Sequence, residues 1–122
     1  MAITQTMCTS FKKEILQAVH NFSAAGGHTF KIALYTSSAT IGADTTAFTT
    51  SGEASGTAYV SGGFTLTNVE PSSGGTTGFC DFGDAFWNSS SITARGALIY
   101  NSSQSNKAVC VLDFGSDITS NP

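Results

Sequence analysis

The triplet Asp-Phe-Gly occurs twice in 122 residues, as Asp81-Phe82-Gly83 in "CDFGD" and as Asp113-Phe114-Gly115 in "LDFGS". In protein kinases the aspartate of this triplet holds magnesium against the phosphates of ATP. That chemistry also needs a His-Arg-Asp catalytic loop, a glycine-rich phosphate loop and a strand lysine. None of these is in the chain, and neither is the Walker pattern of P-loop enzymes. The plainer expectation is that each triplet ends a strand. Phe is then the last inward side chain, Gly makes the corner, and Asp accepts a backbone N–H there.

Other chemistry is weighed in the same way. Asp81, Asp84, Asp113 and Asp117 could form an acid pair or a calcium site. No loop carries the alternating ligands that calcium needs, so they are expected to be solvated turn acids. His20 on an expected helix and His28 at the start of an expected strand have no Ser or Cys partner at a sharp turn. Cys8, Cys80 and Cys110 match no zinc spacing. Buried free thiols are expected, with a Cys80–Cys110 bridge between neighbouring strands as the alternative. The sequons at Asn21, Asn88 and Asn101 are expected to mark turns. No catalytic residue, metal site or cofactor is assigned, and the chain is expected not to be an enzyme.

The elements that must position these residues follow from periodicity. Phe11, Ile15, Leu16, Val19 and Phe22 form one apolar stripe at helical spacing, which predicts a helix over 10–23. Ser10 or Thr9 would cap it, and "AAGG" at 24–27 would close it. From residue 28 the period becomes two: in "TFKIALYT", Phe30, Ile32 and Leu34 alternate with Lys31, Ala33 and Tyr35. Residues 36–56 hold only Ile41 and Phe48 as bulky apolar groups and are expected to be a long contact loop. "TAYVSGGFTLTNVE" reads as strand, turn, strand; "PSSGGTTG" as a turn; and "SITARGALIYN" as a strand broken or bulged at Gly96. Six to eight short strands after one N-terminal helix predict a mainly β chain. The expected form is an antiparallel β-sandwich or jelly-roll-like domain over about 28–118, in a single domain of 1–122.

Composition bounds the partners. Only 11% of residues are charged, and the five cations, Lys12, Lys13, Lys31, Arg95 and Lys107, form no run. A nucleic-acid site needs a basic stripe and a membrane span needs a long apolar run; neither is present, so neither partner is expected. "MAITQTMCTSFKK" lacks the order of a secretory signal, which suggests synthesis in a cytoplasm. So weakly charged a surface suits a protein held against other protein. The candidate interface residues are Ile41, Phe48, Trp87 and Arg95, the last expected to pair with Asp81, Asp84 or Asp113. An alternative use of the aromatics is a glycan platform formed by Tyr59, Trp87 and Tyr100.

The order of motifs resembles small virion structural proteins of tailed bacteriophages, of decoration, cement or fibre type. The matching pieces are the strand ending in Leu-Tyr-Thr at 30–36, the Glu-x-x-Gly-x-x-Tyr segment with its Gly-Gly at 53–63, the Asp-Phe strand at 81–87 and "ARGALIYN" at 94–101. The resemblance implies a non-enzymatic virion component made in the host cytoplasm. It would stabilise the head by bridging subunits of the major capsid protein, as a homo-oligomer, dimer or trimer. A tail or fibre component that binds a receptor or glycan is the alternative. Such proteins often carry one more strand after the Asp-Phe-Gly corner. Here "SDITSNP" follows, so either that strand is absent or it lies beyond this sequence, and an edge left uncovered would be open to a neighbour.

Overall fold

A computed structural model describes residues 2–121. The fold is mainly β and antiparallel, sandwich-like, with a single short helix. In chain order the elements are β1 (Thr6–Met7), α1 (Thr9–Leu16), β2 (Phe30–Tyr35), β3 (Gly56–Thr57), β4 (Phe64–Thr65), β5 (Asn68–Gly74), β6 (Thr77–Phe82), β7 (Ser91–Asn101) and β8 (Lys107–Thr119). The main sheet runs β1-β8-β7-β2-β4, with β3 also paired to β7, and β5 and β6 form a separate hairpin.

The helix is shorter than its stripe. It stops at Leu16, and Ala18 takes a left-handed backbone at φ 59°, so Val19 and Phe22 lie beyond it. The stripe also fails as a buried face: Phe11 is buried, but Leu16 is 87% exposed. Neither Thr9 nor Ser10 caps the start. The N-cap position is Cys8, without a side-chain cap bond. The apolar residues past position 16 are used differently: Phe22 stacks on Phe30 with ring centroids 4.4 Å apart.

β2 lies between β7 and β4 and has buried residues on both faces, where alternation alone predicts a half-buried strand. The ladder registers set two cross-strand rows on opposite faces. On one face Thr6, Val111, Leu98 and Ala33 lie side by side. On the other lies an apolar row across five strands: Met7, Cys110, Ile99, Ile32 and Phe64.

The segment 36–50 covers the first face. Ala39, Ile41 and Phe48 join a core with Tyr35, Leu98, Tyr100, Ala108 and Val111. The phenol of Tyr35 donates to the Thr49 carbonyl at 2.6 Å, and short bridges tie Tyr35 to Glu53 and Ala47 to Lys107. The expected long contact loop is therefore largely the lid of the chain's own core. On the opposite face Phe30 is packed at one end by Phe22 and Phe82, and the middle of the row is only half covered.

Glycine explains two close approaches. A Cβ on Gly63 would stand 1.9 Å from the Ile32 carbonyl oxygen. At Gly96 it would stand 2.6 Å from the Leu112 carbonyl and 2.8 Å from Ile3 Cγ2. β7 continues through Gly96; the irregularity falls on β8. Ala94 pairs with Ile118 and Gly96 with Asp113, so residues 114–117 bulge outward opposite Arg95 alone.

Candidate functional site

The two Asp-Phe-Gly triplets have different structural roles. Asp81-Phe82-Gly83 closes β6 as expected: Phe82 points in against Phe30 and Phe22, and Asp81 Oδ1 accepts the Phe82 N–H at 2.7 Å. Asp113-Phe114-Gly115 does not end a strand. It opens the bulge within β8, Gly115 takes φ 84°, and Phe114 is exposed. Asp113 Oδ1 accepts both the Gly115 N–H at 2.9 Å and Arg95 Nε–H at 3.1 Å. The Gly115 bond, and then Arg95, hold the Asp113 carboxyl below the ordinary aspartate range. Of the three acids expected to partner Arg95, the structure selects Asp113. The pair closes a bulge within one chain.

The Glu-x-x-Gly-x-x-Tyr segment is organised by its acid. Glu53 Oε2 accepts the Tyr59 phenol at 2.6 Å and the Gly62 N–H at 2.8 Å, and Oε1 accepts Ser61 Oγ at 2.7 Å. Tyr59 Oη in turn accepts the Leu34 N–H at 3.0 Å, and the Tyr100 phenol donates to the Gly62 carbonyl at 2.6 Å. Burial first, and then Glu53, through its hydrogen bond to Tyr59 and its charge near Tyr100, push the hydroxyls of both tyrosines upward. These tyrosines pin the 53–63 segment to the sheet.

The candidate platform is thereby divided. Tyr100 is 2% exposed and stacked on Phe48 at 4.8 Å, so it offers no face to a sugar. Ile41, at 3% exposed, is core and does not anchor to a neighbour as the isolated chain stands. Half-buried Trp87 sits 6.1 Å from Tyr59 and 5.7 Å from Phe64, with exposed Phe86 beside Phe64. A hollow of about 280 Å³ between Trp87, Ile92, Phe114 and Ile118 continues this patch.

A second apolar surface was not foreseen. A groove of about 460 Å³ runs between the β5–β6 hairpin and the half-covered row of the main sheet, lined by Met7, Ile15, Phe79, Cys80, Ile99 and Cys110 among others. All three thiols are free; Cys8 is buried and Cys80 exposed. Burial pushes the Cys8 thiol up to about 11. The signal for the groove was present in the ladder spacing of Met7, Ile32, Ile99 and Cys110, but the register that aligns them is not written in any one segment.

The two histidines share one hydrogen-bond network. His20 Nε2 donates to Glu14 Oε1 at 2.9 Å, while Asn101 Nδ2 donates to His20 Nδ1 and His28 Nδ1, each at 3.0 Å. His28 Nδ1 also accepts the Asn21 N–H at 3.1 Å. These partners place the proton of His20 on Nε2. Carboxylate, imidazole and a third polar group stand in series, as in nucleophile-activating triads. The third position here is an amide donor, and Glu14, His20 and Asn101 are all buried. The network ties the chain after α1 to the end of β7. Because Asn101 is fully buried, its sequon is structural, whereas Asn21 and Asn88 are exposed.

Among the described residues no group of three His, Cys, Asp or Glu is placed to hold a metal ion, and no helix is long and apolar enough to cross a membrane. Comparison with protein-family models, curated proteins and solved structures gives no match.

Proposed function

We propose that this chain is a non-enzymatic virion structural protein of a tailed bacteriophage, most consistent with a capsid decoration or cement protein that bridges subunits of the major capsid protein. The observation that carries the reading is the surface. Nine large apolar side chains are exposed among the described residues, in a chain with only 11% charged residues. Apolar surface gathered into a groove and an aromatic patch marks interaction sites. A part repeated many times over a shell needs only modest contacts per copy, because multivalency sums them. Binding only the assembled shell stabilises that shell by mass action.

The order of motifs along the chain supplies the virion setting, and the patch around Trp87 favours a second reading. Half-buried Trp87 with Tyr59 could stack on a pyranose ring, as a tail or fibre component that contacts glycans would need.

Quantitative mass spectrometry of purified particles tests both readings. A copy number comparable to that of the major capsid protein is expected. A few copies per particle would move the chain to the tail and make glycan binding by Trp87 variants the next assay. Absence from particles would overturn the virion reading.

A further inference from the structure

The β5–β6 hairpin is the least self-sufficient part of the molecule. Its two strands form a sheet of their own, and residues 69–81 are exposed throughout. A two-stranded hairpin is marginal in water unless a third strand or another layer joins it.

Its two outer edges differ. β5 carries Glu70 and Pro71 at a bulge, since Val69 pairs with Asp81 and Ser72 with Phe79. A charge, a proline and a bulge are the devices that blunt an edge against pairing. β6 has no proline and no bulge, and only Asp81 is charged.

The outward groups of β6 can be assigned. A two-residue loop, Gly75–Thr76, joins the strands, with Gly75 at φ 60°. The flanking pair Gly74–Thr77 is then a hydrogen-bonded pair, so Thr77 and Phe79 direct their backbone groups toward β5. Gly78 and Cys80 direct theirs outward. Phe82 would follow, but its N–H is taken by Asp81 Oδ1.

We infer that the β6 edge pairs with β6 of a second copy of this chain, antiparallel about a two-fold axis at Phe79, to give a four-stranded β5-β6-β6-β5 sheet. In this register Gly78 of each copy exchanges backbone hydrogen bonds with Cys80 of the other. Phe79, 55% exposed in the single chain, meets its symmetry mate as a directly opposed aromatic pair. Asp81 lies opposite Thr77, so no like charges are opposed. The neighbouring register, centred on Cys80, would set Phe79 against Asp81 and call on the occupied Phe82 N–H. The interface is isologous, which closes the assembly at two copies along this edge.

The inference deepens the expectation of a homo-oligomer and is tested on the isolated full-length chain, so it can fail while the virion reading stands. Sedimentation equilibrium under reducing conditions is expected to show a dimer. Cys80→Pro removes an outward N–H without touching the β5–β6 ladder, and Phe79→Asp sets two like charges against each other. Each is expected to raise the dimer dissociation constant by about tenfold or more while circular dichroism stays unchanged. In a Cys80→Ala background, Phe79→Cys is expected to form a disulfide-linked dimer on mild oxidation, mapped by mass spectrometry to position 79 of both chains. A chain monomeric at all accessible concentrations would overturn the inference. So would a dimer indifferent to Phe79→Asp, or a 79–79 cross-link no faster than that of an exposed control cysteine placed at Ser116.

Discussion

The two faces of the main sheet are built from the same strands and finished differently. One is sealed by the chain itself: the segment 36–50 lays Ala39, Ile41 and Phe48 over Tyr35, Leu98 and Tyr100. The other is closed at its Phe30 end and half open along Met7, Cys110, Ile99 and Ile32. The difference separates two uses of apolar residues. On the sealed face they supply the stability of the fold, and on the open face they are surface. A hydrophobic count cannot tell the two apart; the register and the path of the covering segment can.

The comparison breaks first at its leucines. Leu98→Ala on the sealed face is expected to cost about 3 kcal/mol in chemical denaturation. Leu16→Ala, on a side chain left in solvent, is expected to cost less than about 0.5 kcal/mol. Similar losses at both positions would mean that Leu16 is not left in solvent.

Next in size is Asn101→Leu, which leaves His20 Nδ1 without a donor in a buried site and withdraws one from His28. A loss of about 2 kcal/mol is expected, with faster amide exchange through 18–29. Glu53→Gln is expected to cost about 1 kcal/mol, because three bonds to a carboxylate become bonds to an amide. Its sharper readout is loss of exchange protection at the Gly62 N–H.

The smallest effect is the acid dependence of the β8 bulge. The Asp113 carboxyl titrates lower in the folded chain than in the unfolded one. The stability it contributes is therefore present above the ordinary aspartate pKa and lost as pH falls through the depressed folded value. Asp113→Asn is expected to lower stability slightly at neutral pH, leave it unchanged at low pH, and so remove that portion of the acid sensitivity. A variant that keeps the full acid slope would place the sensitivity elsewhere.

Much of the fold was legible in the sequence because period-two alternation is a local signal. β2, β7, β8 and the first Asp-Phe-Gly corner follow from it. The helix was misread past Leu16 because Val19 and Phe22 keep helical spacing by chance, and Phe22 serves as a ring on Phe30. The second triplet was misread because its corner is an outward bulge, which only the pairing of Gly96 with Asp113 and Ala94 with Ile118 reveals. Of the candidate site, Arg95 and its acid were legible as a pair, whereas Phe48 and Trp87, expected to contact a neighbour, pack within the chain on Tyr100 and beside Tyr59 and Phe64. Ile41 and Tyr100 were not legible as core, since burial there depends on where a long segment lies down. The histidine network was invisible because its members are 81 and 73 residues from Asn101.

The burial of Asn101 has a practical consequence for anyone producing this protein. An oligosaccharide added in a secretory pathway is attached as the chain emerges, before β7 has found β2. At Asn101 it would occupy the amide nitrogen that must supply a hydrogen to each of two imidazoles, and the strand partners Phe30 and Lys107 leave no room for a sugar. Material from such a host would be a mixture, with sugar tolerated at Asn21 and Asn88 and misfolded wherever Asn101 was modified. Expression in a bacterial cytoplasm avoids that fault without any change to the sequence.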